Sequence, residues 1–123
     1  MLYAPTPAFF KAAGVSFVDK VERLWRLDLN GDLGFIGAEL IGAGGETTVS
    51  VRAADIFRGA LVNRAAWIVL IHNHPSGRAE PSSRDRVVTR RLAVAGAMLG
   101  ATLYDHVLVG KSEVFSFREA GLL

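Results

Sequence analysis

The feature that most constrains the fold is a continuous apolar run from Ala65 to Ile71, with the sequence Ala-Ala-Trp-Ile-Val-Leu-Ile. The run is too short and too rich in β-branched residues for a helix, so it predicts a strand. A strand without alternating polar residues must be covered on both faces, which places it at the centre of a sheet between two layers. The segment that follows, His72-Asn-His-Pro-Ser-Gly77, ends the strand in a loop.

Helices are predicted on both sides of this strand. Between Arg52 and Arg64 the apolar residues recur every three or four positions, and Ser50 is the expected cap. A longer helix is expected from Ser83 to Leu99, ended by Gly100. The residues of the longer helix expected to face the core are Val87, Val88, Leu92, Ala95 and Leu99. The arginines expected to face mostly outward are Arg84, Arg86, Arg90 and Arg91.

Two hairpins complete the pattern. Leu24 to Leu29 and Leu33 to Ile41 flank Asn30-Gly31-Asp32, where Asn-Gly predicts a type I′ turn. Leu103 to Val109 and Val114 to Phe117 form the closing hairpin. Strands and helices therefore interleave, which predicts an α/β fold with a mixed β-sheet flanked by helices in three layers.

The chain has 123 residues, half of them hydrophobic, which predicts one domain over residues 1–123. Its first 14 or so residues are a helical lead-in, with a short helix from Ala8 to Ala13 capped by Thr6, and a strand is expected from Val15. The chain has no cysteine, so disulfides and thiolate ligands are excluded. The net charge of +2 permits contact with nucleic acid but does not indicate it.

No membrane partner is expected. The longest apolar stretch, from Leu92 to Ala101, is well below the roughly 18 residues that a membrane span needs. The first residues also lack the basic start and apolar block of a secretory signal, so a microbial protein with this sequence is expected in the cytoplasm.

The chemistry is concentrated just after the central strand. Side chains alternate along a strand, so His72 and His74 point to the same side and form a pair of imidazoles. Asp85, at the start of the next helix, is positioned to add a carboxylate and leave a fourth position for water, as in catalytic zinc sites. A structural interpretation stays open, because Ser82 and Asp85 also have the spacing of a helix capping box.

The run from His72 to Asp85 resembles the His-x-His-Pro, six residues, Ser, two residues, Asp motif of the JAB/MPN (JAMM) metalloprotease superfamily. Its residues His-Asn-His-Pro-Ser-Gly, followed by Pro81-Ser82, resemble the sequence of the RadC-like branch. The order of elements from about Val15 to Phe117 is similar to that of this domain, so the resemblance covers nearly the whole chain. The resemblance implies a JAB/MPN, cytidine-deaminase-like architecture, with zinc held by His72, His74 and Asp85.

The resemblance also implies a catalytic Glu on an early strand and a Ser that steadies the reacting oxygen. Glu39 is the preferred Glu, because an acid within a strand needs a charged partner or a function, and Glu46 is the competitor. Ser82 matches the motif serine and can also be only the helix cap. His106 resembles the histidine that closes RadC-like domains, and we expect it beside the ligands or in the core rather than on the metal.

The sequence therefore predicts a zinc-dependent hydrolase that acts on a peptide or protein substrate. The alternative is a nucleic-acid-associated module of DNA-repair type, in which the metal site is secondary. This alternative is supported by the association of the resembled family with DNA repair and by the arginines between Arg78 and Arg91. RadC-like proteins usually carry an N-terminal helix-hairpin-helix region, which we do not expect in this chain, and this expectation weakens the alternative.

Overall fold

The computed structural model describes residues 1–18, 20–44 and 51–123. In these residues a five-stranded sheet lies between one short helix and two longer ones. In chain order the elements are α1 Pro7–Ala12, β1 Arg23–Leu29, β2 Phe35–Ala43, α2 Ala53–Val62, β3 Trp67–Asn73, α3 Ser83–Leu99, β4 Thr102–Val109 and β5 Val114–Ser116. The predicted α/β fold class, a mixed sheet flanked by helices, is confirmed.

The apolar run that follows α2 is the central strand, as predicted. The strand order is β2-β1-β3-β4-β5, so β3 has two strands on each side. It pairs antiparallel with β1 and parallel with β4, to which it connects through α3. Both predicted hairpins, β1 with β2 and β4 with β5, are present.

Alternate side chains of β3 enter the two cores. Ile68 and Leu70 pack with Phe57 of α2 and other residues on one face of the sheet. Val69 and Ile71 pack on the opposite face, in the cluster that contains the α1 phenylalanines. His72 continues the first series, so its side chain emerges on the face that α2 and α3 cover.

The first hairpin turns differently from the prediction. Instead of Asn30 and Gly31 adopting positive φ in a type I′ turn, Leu33 has a φ of 65°. The side-chain oxygen of Asn30 accepts hydrogen bonds from the amides of Asp32 (2.9 Å) and Gly34 (2.8 Å). Asn30 thus shapes the turn by capping amides with its side chain, which gives a three-residue loop that ends in the left-handed region.

The predicted strand from Val15 is wrong. Residues 15–18 lie outside the sheet, and β1 begins only at Arg23. Val15 packs in the core cluster of α1, and the carbonyl of Ser16 accepts a hydrogen bond from the Trp25 indole at 2.9 Å. Val15 and Phe17 thus pack against the sheet without pairing as a strand.

The helix ends agree with most of the capping signals. Thr6 accepts a hydrogen bond from the Phe9 amide at the start of α1, and Gly100 ends α3 with a φ of 82°. The N-cap position of α2 is Arg52, which makes no side-chain cap bond. Ser50, the predicted cap, lies outside the described residues.

The buried stripe of α3 differs from the predicted one. It consists of Asp85, Thr89, Leu92 and Gly96. Leu99, predicted to face inward, is 49% exposed, and Val87 is also exposed. Gly96 lies so close to the chain after the helix that an added Cβ would come within 2.6 Å of the Ala101 carbonyl oxygen. The close approach of α3 to the start of β4 therefore requires the glycine.

No helix among the described residues is long and apolar enough to span a bilayer.

Candidate metal centre

His72, His74 and Asp85 meet at the carboxyl end of β3. The two imidazole Nε2 atoms are 3.3 Å apart. The His72 Nε2 atom lies 3.5 Å from Asp85 Oδ1, and the His74 Nε2 atom lies 3.2 Å from Asp85 Oδ2. These two nitrogens and one carboxylate form the group that can hold a metal ion, as the sequence predicted.

The centre is buried on one side and accessible on the other. His72 and Asp85 are buried, whereas the His74 side chain is 20% exposed. A cavity of about 150 Å³ adjoins His74, and Asn73 and Pro75 contribute to its wall. The accessible side of the centre is therefore the His74 side.

Asp85 serves the helix and the candidate metal site at once. Its Oδ2 atom accepts a hydrogen bond from the Ser82 amide at 2.8 Å, and Ser82 Oγ accepts one from the Asp85 amide at 3.0 Å. Both halves of the capping box are present. The same carboxylate faces both imidazoles, so the two interpretations left open by the sequence are compatible.

The Asp85 carboxylate is held in its ionised form. Burial works to raise its pKa, but the neighbouring His72 ring and the hydrogen bond from the Ser82 amide outweigh burial and lower the pKa well below the ordinary value of 3.8. An ionised carboxylate is the form that binds a metal ion.

His106 lies behind the ligands, where the sequence placed it. Its Nε2 atom is 2.9 Å from His72 Nδ1, and its Nδ1 atom is 2.6 Å from the hydroxyl of Thr89. The ring is fully buried and stacks on Phe117 with centroids 4.8 Å apart. Burial, the largest influence, and the neighbouring His72 lower the pKa of His106 well below 6.5, so the ring is neutral.

Asn73 fastens the end of β3 to the preceding segment. Its side-chain oxygen accepts a hydrogen bond from the Arg23 amide at 2.8 Å, and its side-chain nitrogen donates to the Val21 carbonyl at 2.9 Å. The residue between the two histidines thus holds the loop and takes no part in the ligand group.

Glu39 lies on β2, outside the ligand group. It pairs across the sheet with Arg26, and its Oε1 atom lies 2.7 Å from Arg26 Nη1. Arg26 is level with Leu70 of β3, two residues before His72. The Cα atoms of Glu39 and His72 are therefore about 12 Å apart, because two strand spacings across the sheet and two residues along a strand separate them. The side chain of Glu39 is 54% exposed, as suits an edge strand. Its assignment as the base stays a prediction.

The other predicted site residues have the following places. Ser82 is exposed at the start of α3, and the bond that its Oγ atom accepts leaves the hydroxyl proton available for donation. Its role in catalysis also stays a prediction. Glu46, the competitor of Glu39, lies outside the described residues.

Sequence reasoning missed a buried charged pair beneath α2. Arg26 is 1% exposed and donates to both carboxylate oxygens of Asp28, at 2.6 and 3.0 Å, and to the Ile56 carbonyl at 2.9 Å. Asn63 donates to the same carboxylate at 2.7 Å. The alternation of polar and apolar residues in β1 was the available signal, but it usually indicates a solvent-facing side.

Comparison with known proteins agrees with this geometry. The sequence model of the RadC-like JAB domain family matches residues 8–122. A UPF0758 protein of Pelodictyon phaeoclathratiforme is 39% identical over 102 residues, which cover 83% of this chain and 46% of that protein. A UPF0758 protein of Thermotoga maritima is 41% identical over 95 residues, covering 77% of this chain and 43% of that protein.

The chain thus spans less than half the length of these relatives. The matched region nevertheless includes the whole segment from β1 to β5 and all three candidate ligands. The chain belongs to the RadC-like JAB domain family.

Proposed function

We propose that this domain is a zinc-dependent hydrolase that cleaves a peptide or isopeptide bond. The observation that carries the proposal is that the Nε2 atoms of His72 and His74 lie 3.3 Å apart and that each faces an Asp85 carboxylate oxygen, His72 at 3.5 Å from Oδ1 and His74 at 3.2 Å from Oδ2. In a tetrahedral zinc site with bonds of about 2.0–2.1 Å, neighbouring ligand atoms lie about 3.3–3.4 Å apart. Three protein ligands leave the fourth position for water or substrate, which is the arrangement of catalytic zinc.

Two adjoining cavities lie beside His74. The cavity at His74 shares Phe17, Val109 and Lys111 with a second cavity of about 310 Å³. The second cavity reaches α1 and is lined in part by Phe10. His74 is the one candidate ligand that lines either cavity, so a peptide bound there would approach the centre at His74.

Zinc held by His72, His74 and Asp85 would supply a Lewis acid and would lower the pKa of a water to about 7. Glu39 takes a proton from the attacking water and delivers it to the leaving nitrogen. Ser82 donates its hydroxyl proton to the developing oxyanion. Glu39 can do this only when its carboxylate turns away from Arg26, so the proposal includes the opening of that ion pair.

The test separates metal binding from proton transfer. Purified Glu39→Gln protein is expected to keep its zinc and to lose hydrolysis of a peptide library by about 100-fold or more, because the amide cannot accept a proton. Glu80→Gln is the matched control, since Glu80 is an exposed acid that pairs only distantly with Arg78 at 3.8 Å. Full activity in Glu39→Gln together with loss in Glu46→Gln would transfer the role to Glu46.

A second candidate is a nucleic-acid-associated module. It is favoured by one observation, the exposure of Arg84, Arg86, Arg90 and Arg91 along α3. As such a module, the domain would bind DNA or RNA at moderate salt, and the slope of log K against log salt would shrink by about two in an Arg86→Gln/Arg90→Gln variant. Weak binding in both proteins, which we expect, leaves the hydrolase as the proposal.

A further inference from the structure

We propose that Thr89 and His106 are positioning residues that fix which nitrogen of His72 carries its proton, and thereby leave the His72 Nε2 lone pair free for the metal. The inference rests on the metal centre of the proposed function. It concerns four groups in series: the Asp85 carbonyl, the Thr89 hydroxyl, the His106 ring and the His72 ring.

The order of donors begins at the backbone of α3. The Thr89 hydroxyl is 2.6 Å from the Asp85 carbonyl oxygen, which can only accept, so the hydroxyl proton is donated there. Its oxygen is therefore left to accept from His106 Nδ1, at 2.6 Å. His106 must carry its proton on Nδ1.

The order continues through the two rings. A neutral imidazole with a proton on Nδ1 has a lone pair on Nε2, so His106 Nε2 accepts from His72 Nδ1 at 2.9 Å. A proton on His72 Nδ1 leaves the lone pair on its Nε2 atom. That atom faces His74 and Asp85, within 3.3 and 3.5 Å.

The surroundings keep this series in one arrangement. Thr89, His106 and His72 are all buried, so water cannot exchange places with any of the partners. The ring of Phe117 stacks on His106 and prevents it from rotating freely. If both rings carried their protons on Nε2 instead, His72 Nδ1 would accept from His106, and an N–H bond of His72 would point at the metal position.

Thr89→Val and Thr89→Ser form the decisive pair of variants. Valine has almost the same shape as threonine but cannot accept from His106, whereas serine keeps the hydroxyl. We expect the affinity for Zn²⁺, measured by competition with a chromophoric chelator, to fall about 10- to 100-fold in Thr89→Val and to return to within about threefold of wild type in Thr89→Ser. Leu92→Val is the control for packing, since Leu92 is buried one turn further along the same face of α3.

A second readout does not depend on metal binding. The chain has three histidines, all of them in this cluster, so ¹⁵N NMR of the metal-free protein reports each ring separately. We expect bare Nε2 and protonated Nδ1 in both His72 and His106, with the pattern lost in Thr89→Val and kept in Leu92→Val.

Two results would overturn the inference: a proton on Nε2 of His106 in the wild type, or a Thr89→Val protein that binds Zn²⁺ as tightly as Thr89→Ser. If the wild type binds Zn²⁺ and shows the expected ring protonation but hydrolyses nothing, the proposed function fails while this inference stands. If the wild type binds no Zn²⁺, the proposed function and this inference both fail, whatever the NMR pattern.

Discussion

Replacing Arg26 by methionine should destabilise the protein strongly, because it leaves a buried carboxylate without its cation. Asp28 is fully buried and accepts two hydrogen bonds from Arg26 and one from Asn63. Removal of one partner from a buried ion pair costs about 3–5 kcal/mol, since the remaining charge can no longer be compensated. The pair between Arg26 and the half-exposed Glu39 adds little to this figure, because Glu39 can turn to water.

The loss can be converted into a shift of the unfolding midpoint. For 123 residues the entropy of unfolding near 60 °C amounts to about 0.26 kcal/mol per degree, so 3–5 kcal/mol corresponds to about 12–19 °C. Circular dichroism melts and urea titrations of metal-free protein measure both quantities. Arg58→Met is the matched control, because Arg58 is exposed on α2 and, among residues 1–18, 20–44 and 51–123, its ion pair is with the partly exposed Asp55. It should change the free energy of unfolding by less than about 0.5 kcal/mol.

The double variant Arg26→Met/Asp28→Leu distinguishes charge burial from packing. With both charges removed, no buried ion remains, so the double variant should be more stable than Arg26→Met alone by about 2 kcal/mol or more. Equal or lower stability of the double variant would refute the reasoning, since the single loss would then reflect packing of the arginine side chain rather than an uncompensated carboxylate.

Two further changes test the packing and the electrostatics away from the ligands. Gly96→Ala should cost about 1–3 kcal/mol in chemical denaturation, because its Cβ would meet the Ala101 carbonyl, whereas Gly37→Ala, with nothing within 4 Å, should cost less than about 1 kcal/mol. Burial and the charge of Asp105 raise the pKa of Tyr3 above 10.0, so this tyrosine supports the fold below pH 10 and its contribution is lost as pH rises further. Tyr3→Phe should therefore flatten the alkaline limb of the curve of stability against pH, and an unchanged limb would contradict the assignment.

The central strand and the ligand group could be predicted because their signals are local. An apolar run that ends in His72-Asn-His defines both the strand and the side on which the imidazoles lie. The capping spacing of Ser82 and Asp85 defines where α3 begins, and only a short loop separates this helix from the end of β3. Local geometry therefore brings the three ligands together without knowledge of the rest of the sheet.

The polar interior could not be predicted because it depends on pairing between distant residues. Arg26 and Asp28 alternate with leucines in β1 and resemble a solvent-facing side, but each neutralises the other, so α2 can cover them. Thr89 occupies the buried stripe of α3 in the same way, because His106 lies opposite it. A prediction from hydrophobic periodicity treats such polar residues as exposed, so it shifts the predicted buried face of α3 toward Leu99.

Zinc stoichiometry of the purified protein, measured by elemental analysis, tests the central claim most directly. The account predicts about one zinc per chain in the wild type and most of it lost when His72, His74 or Asp85 is replaced by alanine, because three ligands act as one site. A wild-type protein without zinc after zinc loading, or an Asp85→Ala protein with one zinc per chain, would contradict it and leave Asp85 as a helix cap.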